Sequence, residues 1–314
     1  MTLTIDAASR AFQPFSHPIG AGETFVVIPV LERARSQRVR GNGARSAMER
    51  PYEVLDRPEV LSVLFYPRRD VGVPQVTPGV HTVRIPVASG VAVGGKIFAG
   101  RKGAPIILYF HGNGEIASDY DMIAEAYIRL GLSLFVVDYR GYGTSDGAPT
   151  ASALIADAWE CFEKVPEILA ERKIEAGDLY VMGRSLGSAA ALEIASRAPE
   201  RIAGLIIESG FAYTFALIER IGFLQLPDAF ESKDGFGNLD KIARIKLRTL
   251  IIHGERDWLI PITDAEALYD ACAAEDKTFL RVPAAGHNDL MQVGFKAYFE
   301  AIAAFCGTST PPRV

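Results

Sequence analysis

Short apolar runs alternate with helical stretches through most of this chain, and that alternation is what most narrows the folds open to it. The runs are Pro105–Phe110, Ser133–Asp138, Asp178–Met182, Leu205–Glu208, Thr249–His253 and Thr278–Val282. Each has strand length. Between two of them Leu154, Ala158, Phe162, Val165 and Leu169 recur at helical spacing and would bury one helix face. Repeated strand–helix units imply an α/β fold, a mostly parallel sheet with helices on both faces. Ahead of them, His81–Ala88 and Val91–Phe98 flank a Ser-Gly turn and predict an antiparallel hairpin. Sheets of this kind bind ligands beyond the carboxyl ends of their strands, so residues just after each run are the candidates for chemistry.

The chain has 314 residues, 49% hydrophobic and 23% charged, enough to bury a full core without disulfide or metal support. A formal net charge of −5 argues against nucleic acid as a partner. Cys161, Cys272 and Cys306 are far apart with no C-x-x-C spacing, which reads as reduced thiols in a cytoplasmic protein. Residues 1–20 lack the basic start and apolar run of a signal peptide, and stretches such as Leu132–Val137 are too short for a transmembrane segment.

Residues 1–57 form an N-terminal extension to a main domain over 58–314. Within the extension, Phe25–Val30 predicts a strand and Leu31–Arg40 a short basic helix. Arginines at 33, 35, 38, 40, 45 and 50 make it locally positive, as a docking arm for an acidic partner or membrane surface or as a solvated face packed on the main domain.

Four motifs follow strands. Gly183-Arg184-Ser185-Leu186-Gly187 stands between the run Asp178–Met182 and a small-residue helix start. A sharp strand-to-helix turn there would expose the Ser185 hydroxyl, and the helix N-terminus would aim N–H groups at developing negative charge. His111-Gly112-Asn113-Gly114 follows an earlier strand, where a second N–H donor for a substrate oxygen is expected. The backbone N–H groups of Asn113 and Leu186 would form the oxyanion hole, and His111 is expected to brace the loop. His253-Gly254-Glu255-Arg256-Asp257 and Gly286-His287-Asn288-Asp289 follow the last two strands. A serine nucleophile needs a neutral imidazole to take its proton and a buried carboxylate to orient that imidazole. Ser185, Asp257 and His287 occur in that chain order, with Glu208 and Asp289 as rival carboxylates. Asp289 is expected to cap the helix that follows it.

These stretches, with Leu64-Phe65-Tyr66-Pro67 and Asp138-Tyr139-Arg140-Gly141-Tyr142-Gly143, make residues 58–314 resemble the α/β-hydrolase superfamily. The resemblance is narrower to its serine aminopeptidase-like and depalmitoylase-like branch. It implies Ser185, Asp257 and His287 as a catalytic triad, Asn113 and Leu186 as oxyanion hole, the Asp138–Gly143 turn as support, and no cofactor or metal. The implied substrate is a small-molecule ester, thioester or amide. Membrane-bound relatives carry an N-terminal transmembrane helix and acylatable cysteines that this sequence lacks.

The segment Gly210–Lys246 would form a small helical cap. Its apolar residues, Phe211, Phe215 and Phe223 among them, either face an acyl or alkyl group of the substrate or pack the cap onto the body. Two rival readings come from other classes. Gly112-Asn113-Gly114-Glu115-Ile116-Ala117 fits a dinucleotide fingerprint, with Asp138 ending the next strand as a ribose-binding acid would. That reading leaves Ser185, Asp257 and His287 unexplained. The other rival, a non-catalytic scaffold of the same fold, would be expected to have lost its serine or histidine.

Overall fold

The computed structural model describes residues 52–72 and 77–308. The expected strand Phe25–Val30, the helix Leu31–Arg40 and the arginine cluster lie outside the described residues.

Eight strands form one sheet in the order β1-β2-β4-β3-β5-β6-β7-β8. The first two, β1 (Val80–Ala88) and β2 (Val91–Phe98), are the expected antiparallel hairpin, and β2 pairs antiparallel with β4 (Ser133–Val137). From there β3 (Ile106–Phe110), β5 (Leu179–Arg184), β6 (Gly204–Glu208), β7 (Thr249–Gly254) and β8 (Lys277–Val282) continue in parallel. The central strands β3, β4, β6 and β7 are buried at every residue, which is why they read as unbroken apolar runs and not as alternating ones. Edge strand β1 alternates instead, burying Val83, Ile85 and Val87.

Helices cover both faces. On one lie Ala151–Glu171, Gly187–Arg197 and Ile262–Ala271; on the other lie Ala124–Arg129 and Phe295–Phe305. The helix Ala151–Glu171 starts where the Thr150 hydroxyl accepts the Ala153 N–H at 2.9 Å. It buries Leu154, Ala158, Phe162 and Val165, with Leu169 partly covered. Tyr52 and Leu55 are buried in the same core, so the packed body extends ahead of residue 58.

The stretch between β6 and β7 carries the helices Thr214–Gly222, Glu231–Asp234 and Asn238–Ile242. Phe211, Leu217, Ile218 and Phe236 sink from it into the core. The Glu231 carboxylate accepts the Thr214 and Phe215 N–H groups, each at 2.9 Å, and so closes the segment on itself. Among the described residues, no helix is long and apolar enough to cross a membrane.

Candidate active site

Because β3, β5, β6, β7 and β8 run parallel, their carboxyl ends share one edge of the sheet, and the four motifs emerge there together. The turn after β5 is the tightest. Ser185 takes a left-handed φ of 51°, a conformation that costs a non-glycine residue of order 1–3 kcal/mol. A Cβ on Gly183 would meet the Gly187 carbonyl oxygen at 2.3 Å, and one on Gly187 would meet the Phe110 carbonyl oxygen at 2.1 Å. Both glycines are therefore required for the helix Gly187–Arg197 to fold back against β5 and β3. The turn is pinned by Ser185 N–H to the Glu208 carbonyl at 2.9 Å, and by the Ser188 hydroxyl to the Ser185 carbonyl at 2.6 Å.

Ser185 Oγ lies 3.0 Å from His287 Nε2, and His287 Nδ1 lies 2.7 Å from Asp257 Oδ2. All three side chains are buried. Asp257 Oδ1 accepts the Leu259 and Ile260 N–H groups at 2.9 and 2.8 Å. His253 Nε2 donates to the Ile260 carbonyl at 2.8 Å and sits 3.4 Å from Asp257 Oδ2. Burial alone would raise the Asp257 carboxyl, but hydrogen bonds from His253, His287 and Ile260 outweigh it and hold the group well below the usual carboxylate range. A carboxylate fixed in this way keeps a proton on Nδ1 and leaves Nε2 free to accept one from the serine hydroxyl.

A carboxyl depressed in the folded state contributes stability above its unfolded value of about 3.9, and the contribution fades as pH falls below it. The stability gap between wild type and Asp257→Asn, read from melting temperatures, should therefore narrow steadily below about pH 4. A gap constant from pH 7 to 3 would contradict the assigned bonding.

The loop after β3 is braced from several sides. The Asn113 side-chain oxygen accepts the Tyr66 N–H at 2.7 Å and the Tyr142 hydroxyl at 2.6 Å. Tyr139 donates to the His111 carbonyl at 2.5 Å, and Asp138 accepts the Ala117 N–H at 2.8 Å. Arg140 is held by two bonds to Asp157 at 2.6 and 2.7 Å, which anchors the Asp138–Gly143 turn to the helix Ala151–Glu171. His111 Nδ1 donates to the Gly112 carbonyl at 2.8 Å. Among the described residues, no backbone hydrogen bond uses the N–H of Asn113 or of Leu186. The loop also differs from a dinucleotide cradle. The Glu115 carboxylate already takes the Gly112 N–H at 2.8 Å, and only a short 3-10 turn, Ala117–Tyr120, follows.

One expectation placed its residue differently. Asp289 precedes the helix Leu290–Val293 but does not cap it; its carboxylate turns back to accept the Gly286 N–H at 2.6 Å. That bond closes the turn carrying His287. The aromatic residues of the intervening segment also scatter. Phe211 is fully buried against Phe236, Phe215 is half-buried, and Phe223 is 92% exposed.

The sequence reading passed over Arg184, the residue before the serine. It is buried, with Nε 3.2 Å from Glu208, Nη1 paired to Glu115, and Nη2 donating to the His287 carbonyl at 2.8 Å. Glu208 also accepts the hydroxyls of Tyr298 at 2.7 Å and Tyr109 at 3.2 Å. One guanidinium thus ties the β3 loop, the serine turn and the histidine loop together. Burial would raise the Glu115 carboxyl, yet Arg184 holds it below its ordinary value; in Glu208 burial prevails and the carboxyl is raised. Arg184→Met leaves the buried Glu208 and the half-buried Glu115 without their cation. It should lower unfolding free energy by about 3–5 kcal/mol in urea titrations, and a loss under about 1 kcal/mol would mean that water replaces the guanidinium. The available signal was a charged residue ending an otherwise apolar strand.

A doubly covered parallel sheet with a serine at the strand-to-helix turn after β5 defines the α/β-hydrolase class, and comparison with known proteins agrees. Residues 102–218 match the family model of the serine aminopeptidases, S33. A Mycobacterium tuberculosis protein described as uncharacterized is 31% identical over 232 residues, 73% of this chain and 80% of its own. The alpha/beta hydrolase domain-containing protein WAV2 of Arabidopsis thaliana is 27% identical over 237 residues, covering 69% of this chain and 74% of its own. Among solved structures, a Pyrococcus furiosus esterase superposes with a TM-score of 0.62 at 20% identity, over 77% of this chain and 98% of its own. The chain belongs to the α/β-hydrolase superfamily.

Proposed function

We propose that the protein is a serine hydrolase that cleaves an ester or thioester through an acyl-enzyme on Ser185. The observation that carries the proposal is the unbroken line from Ser185 Oγ through His287 to Asp257, at 3.0 and 2.7 Å, built on a strained turn at the carboxyl edge of the sheet. In this reading Ser185 Oγ attacks the substrate carbonyl carbon as its proton passes to His287 Nε2. The oxygen turned anionic is met by the N–H groups of Asn113 and Leu186, donors that no backbone carbonyl competes for among the described residues. As the tetrahedral intermediate collapses, the imidazolium returns its proton to the departing alcohol or thiol. Water, deprotonated by His287 in turn, attacks the acyl carbon and frees Ser185. Fold-level likeness to an esterase and to a Paleococcus ferrophilus monoacylglycerol lipase (20% identity, TM-score 0.52) is consistent with this reading.

The test is to treat the protein with a fluorophosphonate, locate the adduct by peptide mass spectrometry, and assay p-nitrophenyl, aminoacyl and acyl-CoA substrates in parallel. The expected result is one adduct, on Ser185, together with turnover of at least one ester or thioester. An adduct elsewhere, or none with no turnover across the panel, would remove the proposal.

A further inference from the structure

Arg184 ends β5 one residue before Ser185, and no step of the reaction proposed for Ser185 uses it. We propose that Arg184 is a positioning residue for that reaction: its guanidinium sets where the His287 imidazole and the Asn113 N–H stand relative to Ser185 Oγ. The proposal rests on the reading of Ser185 as nucleophile and adds a residue that acts through the base and the oxyanion loop.

Three observations support it. The first is what holds His287. Among the described residues, no backbone–backbone bond uses its N–H or its carbonyl, and the hydrogen bond on its main chain comes from Arg184 Nη2 at 2.8 Å. The same nitrogen reaches Asn288 Oδ1 at 3.3 Å. Asp257 orients the imidazole at Nδ1, while Arg184 fixes the backbone from which the ring hangs.

The second is the path to the oxyanion loop. Nη1 is paired to Glu115 Oε1, and Glu115 Oε2 accepts the N–H of Gly112, the residue before Asn113, at 2.8 Å. A Cβ on Gly112 would collide with Nη1, so that glycine leaves the guanidinium its place. Nε fastens the fork to the Glu208 carboxylate at 3.2 Å, and the Glu208 carbonyl accepts the Ser185 N–H at 2.9 Å.

The third is the choice of residue. Buried ions are a weak means of holding a fold together, because apolar side chains of similar volume often serve as well. A planar guanidinium instead points several donors in fixed directions, which a lysine ammonium does not. Here those directions are the segments whose relative placement the reaction depends on, and a misplacement of ~1 Å can cost about 100-fold in rate.

Fluorophosphonate labelling of Ser185 tests the proposal without a known substrate. Arg184→Lys keeps a cation between Glu115 and Glu208, so it should remain folded, yet it should label about 100-fold more slowly than wild type. On any ester that wild type turns over, the loss should fall on kcat and leave KM within about threefold. Arg184→Ala adds a rescue. A cavity of about 880 Å³ between the helix Ala124–Arg129 and the segment leading into the helix Phe295–Phe305 is walled in part by Arg184, Glu115 and His287, so a small cation can enter the space that alanine leaves. Methylguanidinium should restore labelling by about tenfold or more, and methylammonium should not.

A folded Arg184→Lys that labels within about threefold of wild type overturns the proposal. So does a loss carried by KM alone, or equal rescue by the two cations, since either leaves Arg184 only its charge. Melting temperatures identify a variant that fails to fold. Should both arginine variants unfold, Glu115→Gln decides: it keeps an oxygen for the Gly112 N–H and weakens one arm of the fork, so labelling on the order of tenfold slower supports the proposal and an unchanged rate overturns it. Wild type labelled at Ser185 with variants that match it removes the positioning role alone. A wild type that the fluorophosphonate spares removes the nucleophile assignment, and the positioning role with it.

Discussion

Ser185→Ala should abolish turnover, lowering kcat by on the order of 10⁴–10⁶, while the protein stays folded. The size of the effect follows from how completely the site converges on one oxygen. His287 lies between Asp257 and Ser185 Oγ, and in the proposed reaction Oγ is the atom that forms the acyl bond, so without it none remains to do so. The fold should survive because the turn is held by backbone bonds of residue 185, its N–H to Glu208 and its carbonyl to Ser188, and alanine keeps both. The left-handed φ of 51° is as unfavourable for alanine as for serine, so the variant gains no relief from strain. Melting temperature and fluorophosphonate labelling belong beside the rate. A folded variant that retains more than a few per cent of activity would show that Ser185 is not the nucleophile.

How much of this was legible in the sequence depends on the range of the interactions involved. The parallel strands were visible because burial on both faces demands unbroken apolar residues, and β3, β4, β6 and β7 supply them. Ser185, Asp257 and His287 were readable as candidates because each follows its strand by a few residues, so topology alone delivers them to one edge. The partners of Arg184 were not readable. Glu115 and Glu208 lie 69 and 24 residues away, and only the register of β3, β5 and β6 brings them within reach of one guanidinium. Asp289 was misread for a related reason. An aspartate before a helix has two competing donors, and the tight turn at Gly286 wins. The fate of Phe211 and Phe223 illustrates the same limit, since an apolar residue in a connecting segment carries no mark of whether it faces core, solvent or ligand.

The carboxylate that orients His287 can be settled by three substitutions whose outcomes the hydrogen bonds already separate. Asp257→Asn should lower kcat by roughly 10⁴ with the fold intact. Asp257 Oδ1 accepts two backbone N–H groups, from Leu259 and Ile260, so an asparagine must keep its oxygen on that side. Its NH₂ then faces His287 Nδ1, where the aspartate oxygen had stood at 2.7 Å. Two donors cannot face each other, so the imidazole moves its proton to Nε2 and can no longer take one from Ser185. Glu208→Gln acts on a different set of partners, Arg184, Tyr109 and Tyr298, none of which is the His287 ring. Its effect should be a loss of stability with kcat reduced by about tenfold or less. Asp289→Asn keeps an oxygen for the Gly286 N–H and should be milder still. The measurement is kcat for the three variants at one pH near neutrality, each with its melting temperature. Should Glu208→Gln be the crippling change and Asp257→Asn the mild one, His287 takes its orientation from β6 and the assignment to Asp257 falls.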